Sequence, residues 1–210
     1  MTAGPYLDNL CKTVQDDVRP LLETKGHAPF AICREVLSYI DHLGHLYSGK
    51  GGRQSTERIK EYLKCLMKEI DPNYERRADQ ICDMYRNGPV HEFDPKVLEN
   101  DRGQRLGWCC YDGERSDWID CGRVAVTHLK PVNRSSDNKD YLLPVSTKCL
   151  IDDLCTSIEY FKTPTSKMLK NATYVDKRIT AWNRAARDLG PPRASNWSPS
   201  KSAKASKCST

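Results

Sequence analysis

A chain of 210 residues with a formal charge of +5 and 29% charged side chains, and a mean hydropathy of -0.69, has a polar surface and enough length for one well-buried core. No apolar run approaches the length of about 18 residues that a membrane span needs, and Met1 to Leu10 lacks the basic-then-apolar order of a secretory signal. The expectation is a cytoplasmic protein without membrane contact, whose modest positive charge permits a nucleic-acid partner without demanding one.

The ten cysteines do not form a disulfide pattern. Cys11, Cys33, Cys65 and Cys82 occupy apolar positions of helical patterns and read as core residues in a reducing compartment. No C-x-x-C pair occurs, and Cys149 and Cys155 are spaced too loosely for a zinc knuckle, so neither a metal nor a cofactor is expected.

In chain order, Leu7, Leu10, Cys11, Val14, Val18, Leu21 and Leu22 keep the three-four spacing of one helix face and predict a helix over Tyr6–Leu22. A second helix is predicted over Phe30–Tyr47, ended by the glycine-rich turn at residues 48–52, whose spacing is not that of a phosphate-binding loop. A third begins near Ser55 as N-cap and places Ile59, Tyr62, Leu63, Leu66, Met67 and Ile70 inward. Asp71-Pro72 then opens a fourth helix with Tyr74, Ala78, Ile81, Cys82 and Tyr85 inward, stopped by Gly88-Pro89.

Between residues 104 and 145 the period falls to two, with Leu106, Trp108 and Cys110 alternating, then Val124, Val126 and His128, then Tyr141 to Val145. These runs predict a small antiparallel sheet. Helices return at Ser146–Lys162 and Ala172–Leu189, and the Pro-, Ser- and Lys-rich residues 190–210 read as a disordered tail. The architecture expected is one mainly α domain over residues 1–189, with a β insertion between the fourth helix and the C-terminal helices.

The chemically pointed segment is Arg86-Asn87-Gly88-Pro89-Val90-His91, a guanidinium and an imidazole on either side of a helix stop. Gly88 and Pro89 turn the chain so that His91 can fold back towards Arg86. Such a pair suits cleavage of a phosphodiester without a metal. The histidine takes a proton from a ribose 2′-hydroxyl or gives one to the leaving oxygen, and the arginine fork holds the phosphate and stabilises developing charge. Asn87 would orient the histidine or the phosphate. The plainer reading stays open beside this one: a cation in the last helical turn is favoured by the helix dipole, and His91 caps or packs in a loop. Arg123 and His128 repeat the spacing, but Val124 follows the arginine and the run looks like a strand, so that copy reads as coincidence.

Through Arg86, Asn87 and His91 in a helical setting, the chain resembles the HEPN (higher eukaryotes and prokaryotes nucleotide-binding) superfamily, whose mark is an arginine, a following polar residue and a histidine a few positions on. The resemblance implies a HEPN-like helical bundle and a metal-independent endoribonuclease of a prokaryotic defence or toxin-antitoxin system. It also implies RNA as substrate, a homodimer with a composite active site, and an antitoxin protein as a further partner. The competing expectation is a non-catalytic interaction or nucleotide-binding module on the same scaffold.

On the second helix Arg34, Ser38, Asp41 and His45 recur at helical steps and form a polar stripe. Arg34, Asp41 and His45 are therefore candidate substrate-binding residues, with a solvated flank held by local salt bridges as the alternative. Asp41, His42 and His45 do not make a convincing metal set, because His42 points away from His45. Trp108, Tyr111 and Trp118, interleaved with Arg105 and Arg115, fit either base stacking or, more commonly, packing within a sheet.

Overall fold

Apolar residues three and four apart build the first half of the molecule. The computed structural model describes residues 3–23, 29–48, 54–87, 96–119 and 123–162; the glycine turn at 49–52, His91, the helix expected over 172–189 and the tail lie outside them. Helix α1 (Ala3–Asp17) buries Leu7 and Val14. It ends before Leu22 because Pro20 cannot donate to the carbonyl of Asp16 and its ring would collide there, so the chain tightens into a 3-10 turn at Arg19–Leu22.

Helix α2 (Pro29–Ser48) is the central element, with Cys33, Val36, Leu37, Ile40, Leu43 and Tyr47 all buried. Helix α3 (Ser55–Cys65) crosses it at close range. A Cβ on Gly44 would lie 2.4 Å from the carbonyl oxygen of Arg58, so only glycine permits that approach. Helix α4 (Asn73–Ile81) follows, and the Asp71 carboxylate accepts from the amide of Asn73 at 2.9 Å. This satisfies one of the amides that a helix start leaves without a partner. The chain continues directly into a π-helical turn at Cys82–Asn87.

Six strands come next: β1 (Leu98–Glu99), β2 (Arg105–Tyr111), β3 (Ser116–Ile119), β4 (Val124–Thr127), β5 (Val132–Asn133) and β6 (Asp140–Ser146). One sheet has the order β1-β2-β6-β5, and β3 pairs with β4 in a separate hairpin. At the centre β2 and β6 are parallel, with Arg105 opposite Asp140 and Tyr111 opposite Ser146. Strand β6 runs straight into α5 (Thr147–Phe161), where the Ser146 hydroxyl caps the helix by accepting from the Cys149 amide at 3.0 Å.

This overturns the expectation of a mainly α, HEPN-like bundle carrying a small antiparallel insertion. The described residues form a mixed α/β fold of five α-helices and sheets of four and two strands. The sheet is a wall of the core. Leu143 and Val145 are buried, and Leu106, Trp108 and Cys110 pack against the same cluster as the helices. Phe30 of α2 meets Trp108 edge to face, with ring centroids 4.6 Å apart. Each buried Leu, Val or Phe of this shared core contributes roughly 1.5–3 kcal/mol relative to exposure, so helices and sheet stabilise one another.

Candidate functional site

The Arg86-Asn87 pair ends a helix, as its sequence implies, but the end is a π-helical turn. Such turns are rare and often mark functional positions. This one is anchored because Cys82 and Met84 are wholly buried in the core. The chain leaves after Asn87 and returns at Lys96, whose amide donates to the carbonyl of Met84 at 3.4 Å. The two ends of the segment holding His91 are therefore tied together at the turn that carries Arg86. His91 itself, and the side chains of Arg86 and Asn87, lie outside the described residues.

Helix α2 packs against this turn, yet its polar stripe is largely engaged in the fold. Asp41 accepts from both the Nε (2.7 Å) and Nη2 (3.1 Å) of Arg58, and from the Ser55 hydroxyl at 2.6 Å. It ties α2 to α3. Ser55, expected as an N-cap, is instead the first helical residue and spends its hydroxyl on Asp41. Arg34 pairs with Glu35 at 3.6 Å. The carbonyl of His45 accepts from the Ser48 hydroxyl at 3.4 Å. Arg34 and His45 stand eleven residues apart, about 16 Å along the helix axis, so the two ends of the stripe do not share one small pocket. His42 meets the Tyr6 hydroxyl of α1 through Nε2 at 2.6 Å. Among the described residues no group of three or more His, Cys, Asp or Glu side chains could hold a metal ion.

A second polar assembly escaped the sequence reading. His128, set aside as coincidence, is fully buried. Its Nδ1 accepts from the Ser146 amide at 3.0 Å, which leaves the proton on Nε2, facing the Tyr74 hydroxyl 3.0 Å away. Tyr74 in turn donates to Asp153 at 2.8 Å. Arg115 spans Asp153 (2.6 Å) and Asp71 (2.7 Å). The network thus joins α4, the turn before β3, the turn after β4, and α5.

Burial and then the nearby Arg115 cation push the His128 imidazole down to about 3, so it is neutral. Its 3.9 Å approach to Asp153 is accordingly relayed through Tyr74 and is no ion pair. Burial, with Asp153 alongside, drives the Tyr74 phenol well above its ordinary range. Burial also raises Asp153, against the opposing pull of Arg115 and Tyr74. A histidine closed off from solvent and held neutral has no route to a substrate, so the network is a structural tie. One signal was readable: Asp153 falls among Leu150, Ile151 and Leu154 on the inner face of α5, where a carboxylate needs a buried partner.

Compared with protein-family models, curated proteins and solved structures, the chain matches none. Among the described residues no helix is long and apolar enough to cross a membrane.

Proposed function

We propose that the protein is a metal-independent endoribonuclease acting through Arg86, Asn87 and His91. The observation that carries this reading is the closure of residues 85–95 by the Lys96-to-Met84 hydrogen bond on a π-helical turn anchored by buried Cys82 and Met84. In sequence, Arg86 and His91 stand five positions apart, a spacing that permits both side chains to meet one phosphate. The proposal rests on this local arrangement and on the motif, and it does not require a helical bundle.

In the reaction, a ribose 2′-oxygen attacks the adjacent phosphorus while its proton passes to a base, and the 5′-oxygen leaves as it gains a proton. The products are a 2′,3′-cyclic phosphate and a 5′-hydroxyl. Imidazole is the side chain suited to proton transfer at physiological pH, so His91 serves one of the two transfers, and the Arg86 fork meets the charge on the non-bridging oxygens. Asn87 orients phosphate or imidazole. The test is incubation of purified protein with single-stranded RNA in excess EDTA. Cleavage that persists in the chelator and falls on the order of 10²-fold or more in Arg86→Ala supports the reading; cleavage that EDTA abolishes, or that Arg86→Ala leaves intact, removes it.

A further inference from the structure

On the four-stranded sheet, Leu106, Trp108 and Cys110 of β2 pack on the core, so strand alternation turns Arg105, Gly107 and Cys109 to the opposite face. There lies a groove of about 440 Å³ lined by Arg105, Gly107, Arg134, Asp140, Tyr141 and Leu142, among others. Its volume falls within the range of roughly 300–1,000 Å³ typical of small-molecule sites. Gly107 contributes no side chain to fill it.

The frame of the groove is rigidly built. The Arg134 amide donates to the Asp140 carbonyl at 2.8 Å and the Arg105 amide to the Lys139 carbonyl at 2.7 Å. The Ser135 hydroxyl accepts from the amides of Lys139 (3.2 Å) and Asp140 (3.0 Å). Asn100 likewise accepts from the amides of Arg102 and Gln104, each at 3.0 Å, and the Gln104 side chain donates to the Asn138 carbonyl at 3.2 Å. Residues 29 positions apart in sequence are thereby fixed beside one another before any ligand arrives.

The charges are distinctive. Arg58 and Arg115 each engage carboxylates. Among the described residues, by contrast, the side chains of Arg105, Arg134 and Asp140 line one groove and enter no hydrogen bond or ion pair, even with one another. Two planar donor forks suit a phosphate, a carboxylate suits vicinal hydroxyls, and Leu142 with Val97 offers an apolar surface. We propose that this groove binds a nucleotide, with Arg105 and Arg134 clasping the phosphate, Asp140 accepting from the ribose hydroxyls, and the base lying along Leu142 and Val97. The site shares no residue with the ribonuclease motif and stands or falls separately from it.

Isothermal titration of the full chain with AMP, ribose 5-phosphate and inorganic phosphate tests this. AMP is expected to bind most tightly, and Arg105→Ala and Arg134→Ala each to weaken it about tenfold or more without lowering the melting temperature. Asp140→Asn is expected to weaken AMP while strengthening inorganic phosphate, since it removes both the hydroxyl acceptor and a repelling charge; a purely structural role would not produce opposite shifts. His91→Ala should leave AMP affinity unchanged, which separates this site from the nuclease. No AMP binding at millimolar concentration, AMP affinity unaltered in both arginine variants, or equal affinity for AMP and ribose 5-phosphate overturns the proposal.

Discussion

The Nε2 of His128 and the hydroxyl of Tyr74 stand 3.0 Å apart with neither side chain reaching solvent. Because Tyr74 passes its own proton to Asp153, removing this one oxygen strands a donor on His128 and an acceptor on Asp153. Tyr74→Phe, which keeps the ring, is expected to destabilise the fold by about 1–3 kcal/mol. Urea unfolding monitored by circular dichroism measures it, and an unchanged midpoint would show that the network adds nothing.

The same histidine makes stability depend on pH. Its imidazole is held at about 3 in the folded state against an ordinary value of 6.5, so between those values the unfolded chain binds more protons. Stability from this group is complete above pH 6.5 and declines as pH falls towards 3, by a few kcal/mol in order of magnitude. Asp153, raised by burial, acts in the opposite direction just above the ordinary carboxylate range and moderates the decline. Urea midpoints measured from pH 7 to pH 4 should fall steeply in the native chain and much less in His128→Gln.

Gly44→Ala places a methyl group 2.4 Å from the Arg58 carbonyl. Helices α2 and α3 must then separate, at a cost of about 1–3 kcal/mol for overpacking. A thermal melt reads this, and the neighbouring Asp41–Arg58 pair will be disturbed with it. Gly4→Ala, where a Cβ meets nothing within 4 Å, provides the control and should not lower the melting temperature.

Much of the helical half was legible. The faces of α2, α4 and α5 follow from three-four spacing alone, because local periodicity survives wherever a helix buries one side. What escaped was non-local. Nothing in the run from Arg105 to Tyr111 states that its partner is Asp140–Ser146 or that the pairing is parallel, and Leu142-Leu143-Pro144-Val145 lacks the alternation of a half-exposed strand because the later part of β6 is buried. The Tyr74–His128–Asp153 tie and the Arg105–Arg134 groove are likewise products of topology. Asp41 illustrates the reverse difficulty: its position on a polar stripe was plain, yet its engagement by Arg58 and Ser55 depended on a helix crossing that Gly44 alone hinted at.

The resemblance to the HEPN superfamily would imply a homodimer, and light scattering of the purified 23.9 kDa chain tests that expectation. A monomer throughout the concentration range of the cleavage assay would show that each chain acts alone.

The central claim turns on one imidazole, and single-turnover cleavage of a defined RNA by the native chain and His91→Ala, both in EDTA and both confirmed folded, tests it most directly. The account predicts products ending in a 2′,3′-cyclic phosphate from the native chain and a rate on the order of 10²- to 10⁴-fold lower in the variant. Absence of cleavage by the native chain, or equal rates for the two proteins, contradicts it.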